Sequence, residues 1–271
     1  MKIKWSIFPK FSGGMQPQAL AQFIRDINLD TVNLVIRKGF PVTRENMKSA
    51  LPQFVKSMAE EGLKITFATA GYMPEEILAD EALLAVPAES GIRAFRMGYF
   101  SWDKRRTPGE CADDARRQME QLVPLLEKHN IKAVYQVHHG RLFTEAWSVW
   151  PLVRDLPPEY VGIMLDPGNQ LHEGWQRWEP ACHLLGRHLA AMGIKDGLKS
   201  TRARAFDWVP CGQGDIDWFE VARALKSVDF EGTFVFMPFY DPDDPTAQKA
   251  KLKDEVAYVR AVFAEVEAEK Q

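Results

Sequence analysis

Residues 119–137, MEQLVPLLEKHNIKAVYQV, hold one complete structural unit. Met119, Leu122, Leu125 and Leu126 recur at helical spacing and give the segment one apolar face to bury. His129-Asn130 then places a residue that tolerates left-handed backbone where the helix should stop. The apolar run 133–137 that follows predicts a strand. Outward from this unit the same order recurs. Strands are predicted over 3–8, 31–36, 64–68, 92–97, 133–137, 161–165, 189–194 and 233–237. Between them lie amphipathic helices, marked at the start by Leu20, Phe23, Ile24 and Ile27 and at the end by Leu252, Val256, Val259, Phe263 and Val266. Glu61-Gly62 and Glu231-Gly232 read as further helix stops. Regular alternation of this kind predicts parallel strands joined by crossover helices. No linker interrupts the series, so one α/β domain over residues 1–271, a (β/α)8 TIM barrel, is expected. An open doubly wound sheet is the competing architecture. It lacks its main support, because no GxGxxG follows the first strand and Gly13-Gly14 stands alone.

Composition narrows the function. The 34 basic and 37 acidic side chains leave a net charge of -3, with no basic cluster to meet the phosphates of a nucleic acid. No apolar run approaches the roughly 20 residues of a membrane span, and the first residues lack the apolar stretch of a secretory leader. Cys111, Cys182 and Cys211 are widely separated and match neither a disulfide framework nor a zinc site. A cytoplasmic protein with reduced thiols is expected, with a homo-oligomer left open.

In a barrel of this kind the reactive groups stand at the C-terminal strand ends. Strand five ends Gln136-Val137-His138-His139, and period-two alternation turns Gln136 and His138 toward the mouth together. His138 has the ordinary pKa nearest neutrality and reads as an acid or base; the bland alternative is a loop histidine bonded to backbone. Strand six ends in Asp166 before Pro167-Gly168-Asn169, a carboxylate on a rigid element, or else only an Asx turn. Arg96, Lys195 and Arg202 could hold an anionic or hydroxyl group, with an Asp196–Lys195 ion pair as the alternative for Lys195. In Cys211-Gly-Gln-Gly-Asp-Ile-Asp217, two glycines could bring amides to a phosphate, but a plain helix start capped by Asp215 or Asp217 is favoured. Aromatic faces suited to sugar C–H surfaces include Trp5, Phe8, Phe11, Trp102, Trp147 and Trp208, with Trp175 and Trp178 the preferred pocket walls.

The succession VYQVHHG, VGIMLDPGN, AMGIKDG, GQGDIDWFEVARAL and FEGTFVFMPFY resembles the C-terminal half of the xylose isomerase-like TIM barrels, the family of sugar phosphate isomerases/epimerases, tagatose and psicose 3-epimerases and endonuclease IV. The motifs cover roughly residues 130–240. The resemblance implies one divalent metal held by a Glu, an Asp, a His and a Glu at the ends of strands five to eight. Those positions carry Gln136, Asp166, Gly193 and Met237 here. One ligand of four survives. An amide and a thioether also replace the two glutamates that, in the family's epimerases, pass protons on opposite faces of the substrate. The resemblance therefore implies a sugar or sugar phosphate isomerase/epimerase-like protein with an altered, metal-independent mechanism. His138 and Asp166 would do the chemistry, and Gln136, Asn169, Trp175, Trp178, Lys195, Arg202 and Arg96 would bind a small carbohydrate. No cofactor is expected; a weak divalent site at Asp166, Gln136 and His138 is a variant. A non-catalytic ligand-binding barrel that has lost its metal centre is the alternative.

Overall fold

The described residues form ten short strands: β1 (Lys2–Ile7), β2 (Thr31–Val35), β3 (Phe67–Thr69), β4 (Ala94–Arg96), β5 (Lys132–Gln136), β6 (Val161–Leu165), β7 (Leu189–Ile194), β8 (Asp196–Ser200), β9 (Ala205–Val209) and β10 (Glu231–Phe236). The computed structural model describes every residue except 11–13, 175, 201–204, 242, 270 and 271. β1 to β7 follow one another around a closed parallel barrel, and β10 sits between β7 and β1 to complete it. Helices lie between the strands, as the alternating pattern predicts.

Alternation along each strand sorts the side chains into two layers. Val35, Phe67, Val134, Met164, Ala191 and Val235 fill the lumen, with Phe8 and Met237 above them. Their sequence neighbours Leu34, Ala68, Tyr135, Ile163, Met192 and Phe234 point outward into the core shared with the helices. The helix Pro108–His129 buries Met119, Leu122 and Leu126 in that core. A Thr107–Glu110 capping box starts it and Asn130, at φ +49°, ends it. Trp5, a candidate sugar-stacking face, is instead core. Its ring centroid lies 5.1 Å from Phe234 and 6.0 Å from Phe263.

Two local expectations fail for physical reasons. Gly232 is not a helix stop: it lies within β10, where a Cβ would stand 2.4 Å from the Ala190 carbonyl oxygen, and the left-handed turn is made by Asp229 at φ +48°. The polar stretch after strand seven is not a simple loop either. It opens as the antiparallel hairpin β8–β9, with Asp196 opposite Val209 and Gly197 opposite Trp208. Its charged and apolar residues carry no clean alternation. Among the described residues no helix is long and apolar enough to cross a membrane. The three cysteines are buried and unbridged.

The helix Pro245–Ala268 brings one buried carboxylate into the outer core. Glu255 accepts hydrogen bonds from the Cys211 amide at 2.9 Å and the Tyr240 hydroxyl at 2.7 Å, and burial pushes its pKa up to about 7 from the usual 4.5. The folded state therefore keeps a proton that the unfolded chain releases, so stability falls as pH rises from about 4.5 to 7. With each tenfold in proton affinity being ~1.4 kcal/mol, the loss amounts to about 3 kcal/mol. His138, whose pKa burial lowers to about 4, acts in the opposite sense, so the comparison must be made between proteins. Urea unfolding of the wild type and Glu255→Gln at pH 5 and pH 8 is expected to differ by this amount in slope with pH. Identical slopes would refute the assignment.

Candidate functional site

At the C-terminal strand ends, Gln136 and His138 line one cavity with Phe8, Arg96, Tyr99, Lys195, Met237 and Phe239. Strand parity accounts for most of this wall. Residues 134, 136 and 138 point inward in turn, as do 191, 193 and 195 and 235, 237 and 239.

Asp166 begins the next layer down. It is fully buried and caps the helix Pro167–Glu173, its Oδ1 accepting from the Asn169 amide at 2.9 Å. Its Oδ2 accepts from Gln136 Nε2 and lies 3.3 Å from Lys195 Nζ. The carboxylate is thus both the local cap and one half of a buried ion pair. Lys195 Nζ also donates to Asn169 Oδ1 at 2.8 Å and lies 4.6 Å from the Trp208 ring centroid and 5.2 Å from that of Phe239. Two glycines make room for this arrangement. A Cβ on Gly193 would stand 2.6 Å from Asp166 Oδ2, and one on Gly168 would stand 2.7 Å from Lys195 Cγ. Burial weakens the proton affinity of Lys195, which Asp166 opposes.

Gln136 has little freedom. Its Oε1 accepts from the Tyr99 hydroxyl at 2.7 Å, and its Nε2 is 3.8 Å from Met237 Sδ as well as bonded to Asp166. His138 Nδ1 lies 2.8 Å from the His139 carbonyl oxygen. A carbonyl only accepts, so Nδ1 carries the hydrogen and Nε2 is left with its lone pair. Burial lowers the His138 pKa to about 4, so the ring is neutral at physiological pH rather than poised to titrate there. His139 is placed differently, with Nδ1 2.9 Å from Asn169 Oδ1 and its ring stacked on His172 at 4.1 Å. Arg96, 7% exposed at the end of β4, reaches Thr69 Oγ1 through Nε at 3.4 Å.

Several expectations are corrected. Asp166, expected to do the chemistry together with His138, is instead engaged by Lys195 and Gln136. Asp196 does not hold Lys195: its side chain accepts four N–H groups, from Gly197 at 2.8 Å, Gly212 at 3.1 Å, Ile216 at 3.3 Å and Trp218 Nε1 at 3.0 Å. Close approach by glycine backbone in GQGDIDW therefore serves this internal carboxylate, with Gly214 so near that a Cβ would overlap Asp196 Oδ1. Asp217 caps the helix that follows. Trp178 is no wall of the strand-end cavity; it opens the helix Trp178–Leu185, is buried in the core and borders a separate crevice with Leu171 and Ile216. Trp175, Arg202 and Phe11 lie outside the described residues.

Sequence reasoning missed Tyr99 and Phe239 and placed Trp208 among the sugar-stacking faces without its place beside Lys195. Phe239 continues the step of two from Val235 and Met237 and could have been found. Trp208 depends on the unread hairpin, and Tyr99 stands in a loop beyond β4 where no period applies. Among the described residues no group of three or more His, Cys, Asp or Glu side chains is placed to hold a metal ion.

Comparison with known proteins agrees with this architecture. A family model described as xylose isomerase-like TIM barrel matches residues 21–262. No curated protein matches the chain in sequence. Among solved structures, D-psicose 3-epimerase from Clostridium cellulolyticum H10 superposes with a TM-score of 0.75 at 13% identity, covering 96% of this chain and 99% of that one. The 3-keto-D-glucoside 4-epimerase YcjR from E. coli gives 0.71 at 15% identity, with 96% and 99% covered. The IolI protein with a bound zinc atom gives 0.75 at 14% identity, with 97% of each chain covered. At such identities the likeness is one of fold. The family match spans most of the chain, which therefore belongs to the xylose isomerase-like TIM barrel family.

Proposed function

We propose that the chain is a sugar isomerase/epimerase-like enzyme in which the ammonium of Lys195 supplies the positive charge that a divalent ion supplies elsewhere in the family. The donor set does not fit such an ion. Its carboxylate, Asp166, is already engaged by Lys195 and Gln136, while Gly193 offers no ligand atom and Met237 a soft neutral sulfur. The carrying observation is the position of Lys195 Nζ. It is fixed 2.8 Å from Asn169 and 3.3 Å from Asp166, in the wall that also presents His138.

The chemistry follows from these two groups. His138 Nε2 takes the proton from the carbon next to a sugar carbonyl. The C–H electron pair becomes the new C=C bond, the carbonyl π pair moves to the oxygen, and the resulting enediolate is held by the Lys195 ammonium. His138 returns the proton to the adjacent carbon while the hydroxyl proton passes to the other oxygen, which gives an isomer, or to the original carbon after the enediolate has turned its other face to the imidazole, which gives an epimer, so atoms and charge balance without an oxidant. Because burial makes His138 a weak base, the step depends on the charge held at the oxygen. Asp166 and Asn169 are positioning residues for Lys195. Gln136 and Arg96 would hold hydroxyl or anionic groups of the substrate.

Keto and aldo sugars, their phosphates and 3-keto-glycosides incubated in D2O are expected to include one that exchanges its carbon-bound proton, with exchange persisting after chelation and absent in His138→Ala. If a sugar binds yet none exchanges, the protein is a ligand-binding barrel. If chelation stops exchange and Mn restores it, the ion-free mechanism fails.

A further inference from the structure

Beside the strand-end cavity a second cleft of about 560 Å³ opens over β2 to β4 and shares Arg96 and Tyr99 with it. Five cationic side chains line this cleft, Arg37, Lys38, Arg44, Arg96 and Arg141, against one carboxylate, Glu45. Among the described residues only Arg44 of the five is paired with an acid, Glu76 at 2.7 Å. Arg96 and Arg141 instead lie over the Tyr99 ring, 4.9 and 5.3 Å from its centroid.

Arg96 forms the floor. It is 7% exposed, and while its Nε is anchored on Thr69, its Nη1 is buried with no hydrogen-bond partner. A buried guanidinium with a free N–H and like charges as neighbours is costly unless something supplies the counter-charge. The opposite end of the barrel is the useful contrast. Its cavity, about 830 Å³, is also rich in Lys and Arg, but there Lys2 pairs with Glu231 at 3.0 Å and Arg187 pairs with Glu159. Arg93 in that cavity donates to the Ala88 and Ile92 carbonyl oxygens, so three of its five cations have partners within the chain, whereas beside the reactive wall Arg96 keeps a buried N–H with none.

We infer that this cleft is an oxyanion subsite, taking the carboxylate or phosphate end of a substrate whose carbonyl end lies at Lys195 and His138. This rests on the proposed reaction for the placement of the carbonyl and names the class of substrate, an anionic rather than a neutral carbohydrate. The planar guanidinium fork presents paired N–H donors that two oxygens of either a carboxylate or a phosphate can accept.

The test is calorimetric titration with matched sets of a neutral sugar, its uronate and its phosphate monoester. Either anionic member is expected to bind about tenfold or more tighter than the neutral one, with the advantage shrinking as salt is raised. Arg37→Gln and Arg141→Gln, at exposed positions, should each remove most of that advantage, and the tighter of the two anions identifies the source. Equal affinity across a set, or an advantage untouched by both substitutions, overturns the subsite. Tight anion binding without turnover would leave the subsite standing and refute the isomerase reading; turnover of neutral sugars with no gain from charge would do the reverse.

Discussion

Lys195→Met is expected to lower kcat/KM by about a thousandfold, the scale on which removing one preorganised donor to a developing oxyanion acts. Methionine matches the lysine stem, so packing against Gly168, Trp208 and Phe239 is retained while the charge is lost. The same change strands Asp166, which keeps its bonds from the Asn169 amide and Gln136 but loses its cation. A destabilisation of about 3 kcal/mol should accompany it. Lys195→Met/Asp166→Asn should recover most of that stability and none of the activity, which separates the catalytic role from the structural one. Asp166→Asn alone gives a further readout. Asp166 raises the proton affinity of Lys195, so its loss makes the amine give up its proton at lower pH, and the alkaline limb of the kcat profile should move toward neutrality. Full activity in Lys195→Met, or an unmoved limb in Asp166→Asn, would refute the scheme.

What was legible in the sequence was whatever repeats. Eight strands and their helices could be placed to within a few residues because lumen and outer-core positions obey periods of two and 3.6, and Val134, Gln136 and His138 share a side for that reason alone. The pairing of polar groups obeys no period. Lys195 and Asp196 are adjacent in sequence and suggest an ion pair, yet alternation sends them to opposite sides, one to Asp166 and the other to the amides of Gly212 and Ile216 and the indole N–H of Trp218. Tyr99, Trp208 and the unpaired Nη1 of Arg96 likewise depend on which loops meet over the mouth. That is set by the closure of the barrel rather than by any local pattern.

Asp196→Asn tests that internal receptor and is expected to destabilise the protein by about 3 kcal/mol while leaving the reactive wall unaltered in composition. Each carboxylate oxygen accepts from two N–H groups: Oδ1 from the amides of Gly197 and Ile216, Oδ2 from that of Gly212 and from Trp218 Nε1. Asparagine keeps the shape but turns one of those oxygens into a donor, so two buried N–H groups face another N–H. Water has no ready route in, since Asp196 is fully buried and Gly214 packs directly against it. Burial disfavours the charge on Asp196 more than the four donors favour it, so its proton affinity is raised on balance. The cost of the substitution lies in the orphaned donors. Tryptophan fluorescence becomes a local probe when the Trp218 share is isolated against a Trp218→Phe reference among the eight tryptophans, because Trp218 is nearly fully buried and bonded to this carboxylate. Asp196→Asn should change its emission in the folded state and lower the urea midpoint together. Wild-type stability and unchanged emission would mean that the carboxylate is not the hub joining the start of the β8–β9 hairpin to the GQGDIDW segment.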